Sequence, residues 1–324
     1  MRQVQITLTP WIYKEPFVIT GRTMTQSELL YVTITENGIT GRGESVGVFY
    51  TNDRGGIILE RAMSVKAALE QGATRQELQD LLPSGGARNA IDCALWDLEA
   101  KQAGKTIWQL LNITPKPVHT VNTISINTPD YMAAKAKLAD TAHIKVKLND
   151  EMPLERITAV CEARPDATIV VDANQGWTFD QLQDLAPKFK TLGVKMIEQP
   201  LPRGKDEVLA NYDSPIVLCG DESCLDTSEL EQAAKHYQMI NVKLDKAGGL
   251  TEALKLVKAA KVRGLQLMVG NMVGTSLAMA PGFVVAQFCD FVDLDGALFL
   301  TKDRQYPMSY ANGMVSSLKP ELWG

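Results

Sequence analysis

From about residue 118 to residue 295 the chain repeats one pattern, a short apolar run followed by a helical stretch. The runs are HTVNTISI, HIKVKL, ATIVVDA, VKMIEQP, PIVLCGDE, MINVKLD, LQLMVGN and CDFVDLDG. One marker from each, Asn122, Lys147, Asp172, Glu198, Asp221, Lys243, Gly270 and Asp293, gives gaps of 25, 25, 26, 23, 22, 27 and 23 residues. That period is one strand plus one helix. Eight such units predict an α/β chain with a (β/α)8-type barrel. A doubly wound open sheet is the alternative, but it rarely uses eight units so evenly spaced.

The first third is patterned differently. ELLYVTITENGITGRGES alternates apolar and polar positions, turns at Glu36-Asn37-Gly38 and alternates again, a hairpin signature. In ARNAIDCALWDLEAKQAGK, Ile91, Leu95 and Leu98 fall on one helical face, and Gly104 is a stop. GRGESVG has the spacing GxGxxxG with no helix pattern directly after it, so it is not a dinucleotide loop. Residues 1–115 therefore read as an α+β unit and 116–299 as the barrel. The tail 300–324 is expected to join the N-terminal unit.

HIKVKL, residues 143–148, puts Lys145 and Lys147 on one face and Ile144, Val146 and Leu148 on the other. Alone it suits a solvated edge strand. As the second strand of a barrel it aims two ammoniums at the axis, where they need compensating charge. Asp172, Glu198 and Asp221 end the next three strands, on the face where barrel enzymes build their sites. Singly, each acid equally suits a cap for the helix that follows. Together, three carboxylates on adjacent strands suit a hard cation, Mg²⁺ or Mn²⁺, better than Zn²⁺. Strand six repeats the lysine theme in NVKLDKAGGL, with Lys243 on the face of Asn241 and Asp245. Lys147 and Lys243 thus flank the carboxylates, an arrangement for proton transfer on both faces of one carbon. A lysine acts as base only with a lowered pKa, and Lys145 beside Lys147 supplies a cation that lowers it.

Composition excludes several classes. With 45% hydrophobic and 22% charged residues and a net charge of −5, the chain has no polyanion-binding signature, and no nucleic-acid partner is expected. No run of 18 apolar residues marks a membrane span. The N-terminus lacks a secretory signal core. Cys93, Cys161, Cys219, Cys224 and Cys289 are scattered with no CxxC, which suits reduced residues in the cytoplasm. A homo-oligomer is left open. His119, His143 and His236 are not needed by this chemistry.

The ordered set GRGE, ARNAIDCALWDLEAK, KVK, VDAN, EQP, DES and KLDKAGGL resembles the enolase superfamily, muconate lactonizing enzyme subgroup, over nearly the whole chain. The resemblance implies a capping domain in the N-terminal third and Lys147 and Lys243 as the acid/base pair. It makes Lys145 the support of the substrate carboxylate and Asp172, Glu198 and Asp221 the Mg²⁺ ligands. Asp293 and Asp295 in FVDLDGALFL resemble the Asp-x-Asp of dipeptide epimerases, which holds the substrate's α-ammonium. Two carboxylates suit a cation and repel an anion such as muconate or succinylbenzoate. The implied activity is epimerisation of a dipeptide, L-Ala-D/L-Glu or a relative, through a metal-stabilised enediolate. o-Succinylbenzoate synthase and muconate-type cycloisomerase are the alternatives. In the capping loop ITGRTMTQS, Met24 falls where an arginine often pairs with a glutamate side chain, and Arg22 lies two residues away. Asn271 of VGNMVGTS is the remaining substrate-side candidate.

Overall fold

In the computed structural model, which describes residues 2–316 and 318–324, three antiparallel strands open the chain: β1 (Gln3–Ile19), β2 (Arg22–Glu36) and β3 (Ile39–Ser45). Asn37 and Gly38 turn β2 into β3 with φ of 51° and 78°, the left-handed geometry of a tight hairpin. The helix Gly86–Gln102 packs on this sheet, its Ile91, Leu95 and Leu98 sharing one core with Leu30, Val32 and Ile34. Its Cys93 and Trp96 enter the barrel's core instead, so both sides of the helix are covered. The sheet meets it at close range through Gly41 and Gly43. A Cβ at Gly43 would lie 2.0 Å from the Ala90 carbonyl oxygen.

Eight parallel strands follow: β4 (Asn122–Ile124), β5 (His143–Lys147), β6 (Thr168–Asp172), β7 (Met196–Glu198), β8 (Val217–Gly220), β9 (Met239–Lys243), β10 (Gln266–Gly270) and β11 (Phe291–Val292). Each bonds to the next, and the backbone hydrogen bond from Val121 N to Val292 O (3.0 Å) brings first and last together. This is the curled parallel sheet of the (β/α)8 fold. The even strand–helix pattern fails in two places. Between β7 and β8 there is only the 3₁₀ segment Asp206–Asn211, preceded by Pro202 and Gly204, which discourage a longer helix. After β11 the only helical element among the described residues is the 3₁₀ turn Gly296–Phe299.

Inside and outside are sorted by strand alternation. Ile144, Val146 and Leu148 join Met132, Ala136, Ile157 and Val160 of the surrounding helices in one outer core. Val121, Val170, Met196, Cys219, Met239 and Met268 form a separate apolar plug, and the charged side chains lie toward the strands' carboxyl ends. The chain end returns to the N-terminal helix, where Trp323 Nε1 donates to Cys93 O (2.9 Å) and Gly324 N to Asp97 Oδ1 (2.7 Å). Arg304 of the tail pairs with buried Glu44 at 2.6 Å, and Thr275 Oγ1 donates to the same carboxylate at 2.8 Å. Among the described residues no helix is long and apolar enough to cross a membrane.

Candidate active site

Lys145, Lys147, Asp172, Glu198, Asp221 and Lys243 gather at the carboxyl ends of five consecutive strands, β5 to β9, because parallel register aligns the strand ends. Lys147 pairs directly with Asp172, and Glu198 with Asp172, in the ladder. Lys147 Nζ lies 2.6 Å from Asp172 Oδ2, and Lys243 Nζ lies 2.6 Å from Asp221 Oδ2. Lys145 is 1% exposed and sits between three carboxylates, 3.0 Å from Asp172, 2.8 Å from Glu198 and 2.8 Å from Asp293.

These pairs set the titration of the site. Burial pushes Asp172 up, but Lys147 and Lys145 outweigh it and bring the carboxyl down to about 2. Asp221 is also below the carboxylate range, since Lys243 and Lys246 overcome its burial. Glu198 is raised, by burial and then by the Asp172 charge. Lys243 differs from the lowered lysine expected of a base. Burial lowers it, but the Asp221 and Glu198 charges prevail and hold it above the usual value.

The three acids fit a hard cation by donor type. All are oxygen donors at 0% exposure, and Glu198 Oε2 has no hydrogen-bond donor, although the Lys145 ammonium lies 2.8 Å away. With the ammoniums lying between them, however, no three metal-binding side chains among the described residues converge closely enough to enclose an ion.

A cavity of about 270 Å³ opens over this charged layer. Lys147, Lys243 and Asp221 reach it from the barrel, and Arg22, Met24, Phe49, Tyr50 and Arg54 from the N-terminal unit. Arg22 lies over the Phe49 ring at 4.6 Å. Burial, and then the neighbouring Arg54 guanidinium, lowers its pKa. Among the described residues neither arginine has a carboxylate at salt-bridge distance. Asn271 also lines the cavity, and its Nδ2 donates to Asp293 O at 2.7 Å.

Asp293 joins the charged layer through Lys145, 2.8 Å away, and Asp295 lies at the seam of the curled sheet. Neither is among the described residues lining the cavity. Asp293 is held by Lys145, and Asp295 Oδ2 accepts from Thr123 N at 2.7 Å where the curled sheet meets itself. Burial, and then Asp293, holds Asp295 well above the usual carboxyl value.

Three further features escaped the sequence pattern. Lys246 is 3% exposed, and its Nζ donates to Asp221 Oδ1 (2.8 Å) and to the carbonyls of Asp221, Cys224 and Asn241. Its only signal was a second lysine three residues after Lys243. Asp245 does not share the face of Lys243 as strand alternation predicts, because β9 ends at Lys243 and a helical turn, Leu244–Ala247, begins. Tyr50 and Arg54 come from a loop with no periodicity. The Tyr50 hydroxyl is buried without a partner, and burial followed by the Asp221 and Glu222 charges holds it well above the usual phenol value.

Residues 1–112 match the mandelate racemase / muconate lactonizing enzyme N-terminal domain, and 131–317 match the enolase C-terminal domain-like family. The chain belongs to the enolase superfamily. It is 40% identical to an L-Ala-D/L-Glu epimerase of Escherichia coli over 97% of this chain and 99% of that protein. It is 45% identical to an N-acetyl-D-glutamate racemase of a Pseudoalteromonas species, over 76% and 79% of the two chains. Among solved structures, an enolase family member from Agrobacterium tumefaciens with homology to dipeptide epimerases, bearing sodium and L-Ala-L-Glu, superposes with a TM-score of 0.97 at 40% identity, covering all of both chains. A dipeptide epimerase from Methylococcus capsulatus with Mg and L-Arg-D-Lys gives 0.92 at 26% identity, over 99% and 98%. These relatives are epimerases and racemases, and this superfamily member is an isomerase.

Proposed function

We propose that the chain epimerises a dipeptide by removing the α-proton with one of Lys147 and Lys243 and returning a proton from the other. One ammonium takes part as a base after losing its proton, and the other delivers a proton to the opposite face of the same carbon. The observation that carries this reading is that both lysines open into one cavity from strands on either side of the acid-bearing β6, β7 and β8. Asp172, Glu198 and Asp221 would hold Mg²⁺, or Mn²⁺ in its place, by exchanging their present ammonium partners for the ion. When bound, such a cation would supply positive charge to offset the charge that a substrate carboxylate gains on loss of the α-proton. Lys145 holds the acidic layer in place and keeps positive charge next to it. The five cysteines carry no disulfide and suit the cytoplasm.

Arg22 and Arg54 suit an anionic side chain on the substrate. Two like charges side by side on a cavity wall repel each other until an anion lies between them. A glutamyl residue fits, as in the Escherichia coli relative's substrate. The positions of Asp293 and Asp295 favour a second reading, an N-acylated acidic amino acid with no α-ammonium, as the Pseudoalteromonas relative's name describes. The two substrates share an N-acylglutamate core. They differ in whether the acyl group carries an ammonium, which here would need a carboxylate that is already engaged.

The test is incubation in D₂O with Mg²⁺, using L-Ala-L-Glu and N-acetyl-L-glutamate separately, followed by mass and chiral analysis. Deuterium gain with appearance of the D-glutamyl epimer supports the first reading. The same result with N-acetylglutamate alone supports the second. No exchange in either would end both, and exchange without epimer would end the two-base mechanism.

A further inference from the structure

We infer that Asp245 is a positioning residue, whose carboxylate fixes the loop 46–55 of the N-terminal unit over the reaction cavity and ties that wall to the strand bearing Lys243. Asp245 Oδ1 accepts hydrogen bonds from Val46 N at 2.9 Å and Gly47 N at 3.1 Å. Among the described residues these are the only hydrogen bonds from that loop to the barrel. The remaining anchors tie the neighbourhood to the N-terminal unit itself. Ser45 Oγ donates to Gly86 O at 2.7 Å, and Asp53 Oδ2 accepts from Gly86 N at 2.6 Å.

The loop's own geometry passes the constraint on. Gly47 and Val48 pair with Arg54 and Asp53 in a two-stranded ribbon, so fixing Gly47 fixes the backbone of Arg54 opposite it. Phe49 and Tyr50 lie in the bend between the two arms. All four of Gly47, Phe49, Tyr50 and Arg54 line the cavity. Gly47 has a φ of +80°, and a Cβ there would lie 2.1 Å from Asp53 O, so the turn that presents both N–H groups to Asp245 needs glycine.

Asp245 itself is 5% exposed and does not line the cavity. Burial pushes its carboxyl up to about 6. Among the described residues no cation lies within salt-bridge distance of it, and a buried anion of that kind is retained only where its hydrogen bonds are good. The two loop amides are such bonds. The fold therefore sets an acidic group two residues after the lysine base, aimed outward at the cap. Strand β9 positions the base on one side of its end and the cavity's opposite wall on the other.

This inference rests on the cavity's being the reaction site, so its test includes a readout that needs no substrate. In Asp245→Ala, hydrogen–deuterium exchange at the Val46 and Gly47 amides should rise by at least about tenfold while the β1–β3 amides stay protected, as expected for loss of two hydrogen bonds. Asp245→Asn keeps the Oδ1 acceptor and should leave those amides protected. Turnover is then measured with whichever of L-Ala-L-Glu and N-acetyl-L-glutamate exchanges. The KM of the alanine variant should rise roughly tenfold with kcat within about threefold, and the asparagine variant should restore the KM. Unchanged amide exchange in the alanine variant overturns the anchoring. Equal loss of kcat in both variants at constant KM overturns the positioning role in favour of a charge effect on Lys243. If the alanine variant does not fold, deprotected amides or a raised KM in Asp245→Asn overturns the inference.

Discussion

Lys145, Lys147 and Lys243, the lysines carried on the site's strands, are each defined by their partners. Lys145 is enclosed by three carboxylates, whereas Lys147 and Lys243 each contact one and face the cavity. The two exposed to the cavity are the ones proposed to move protons, and their loss should be distinguishable. Lys147→Ala should abolish epimerisation in both directions, since each direction needs a base and an acid. It should still permit α-proton exchange from the isomer that Lys243 deprotonates. Lys243→Ala should show the opposite preference, and Lys145→Ala should weaken exchange from both isomers together. Losses of about 10²–10⁴-fold are expected for a general base. Deuterium uptake by each variant from each pure isomer is the measurement, and near wild-type interconversion by either single variant would sink the mechanism. Gly270 matters at this scale too. A Cβ there would lie 2.6 Å from Asn241 Oδ1 and 2.9 Å from Lys243 Cε, so the end of β10 is kept bare to leave Lys243 room.

At the scale of elements, the contact between β3 and the helix Gly86–Gln102 depends on two missing side chains. The Cβ of an alanine at position 43 would be 2.0 Å from Ala90 O and 2.7 Å from Ala94 N, both backbone atoms of a buried helix. Neither can yield without moving the helix, which also touches the barrel through Cys93 and Trp96. Gly43→Ala should therefore lower the unfolding free energy by about 1–3 kcal/mol or more, the usual cost of overpacking. Urea denaturation compared with the wild type checks this, and an unchanged midpoint would mean that the sheet and helix separate easily. The GRG of GRGES is thus a packing motif. Its Glu44 adds a polar knot, buried and paired with Arg304 and Thr275 from later parts of the chain.

Over the whole molecule, the N-terminal unit closes over the charged layer at the end of the barrel, and the proposed ion site in that layer makes ion binding testable on stability and activity alike. Three buried carboxylates are shared among ammoniums, and Glu198 keeps one oxygen without a donor. Treatment with EDTA should abolish α-proton exchange, and Mg²⁺ should restore it. Added Mg²⁺ should also raise the melting temperature of the stripped protein, because a ligand that binds only the folded state stabilises it. Full exchange in metal-free protein, with no thermal shift on adding Mg²⁺, would end the assignment of Asp172, Glu198 and Asp221 as ligands.

The repeat of 22 to 27 residues determined the eight-stranded architecture, because each strand buried on both faces must be followed by enough chain to return to the same edge. Strand alternation determined that Lys145 and Lys147 face inward and Ile144, Val146 and Leu148 outward, since a period of two admits only two faces. The charged residues at successive strand ends were legible for the same reason: parallel register places equivalent positions side by side. The partners of those residues were not. That Asp293 meets Lys145 depends on distances across the barrel, which no local pattern encodes. Asp245 turned away from Lys243 because β9 stops one residue earlier than its apolar pattern, and Arg54 and Tyr50 reach the cavity from a loop with no period at all. Local periodicity follows from backbone geometry, whereas contacts between residues 198 positions apart, such as Asp245 and Gly47, exist only once the N-terminal unit has packed onto the barrel.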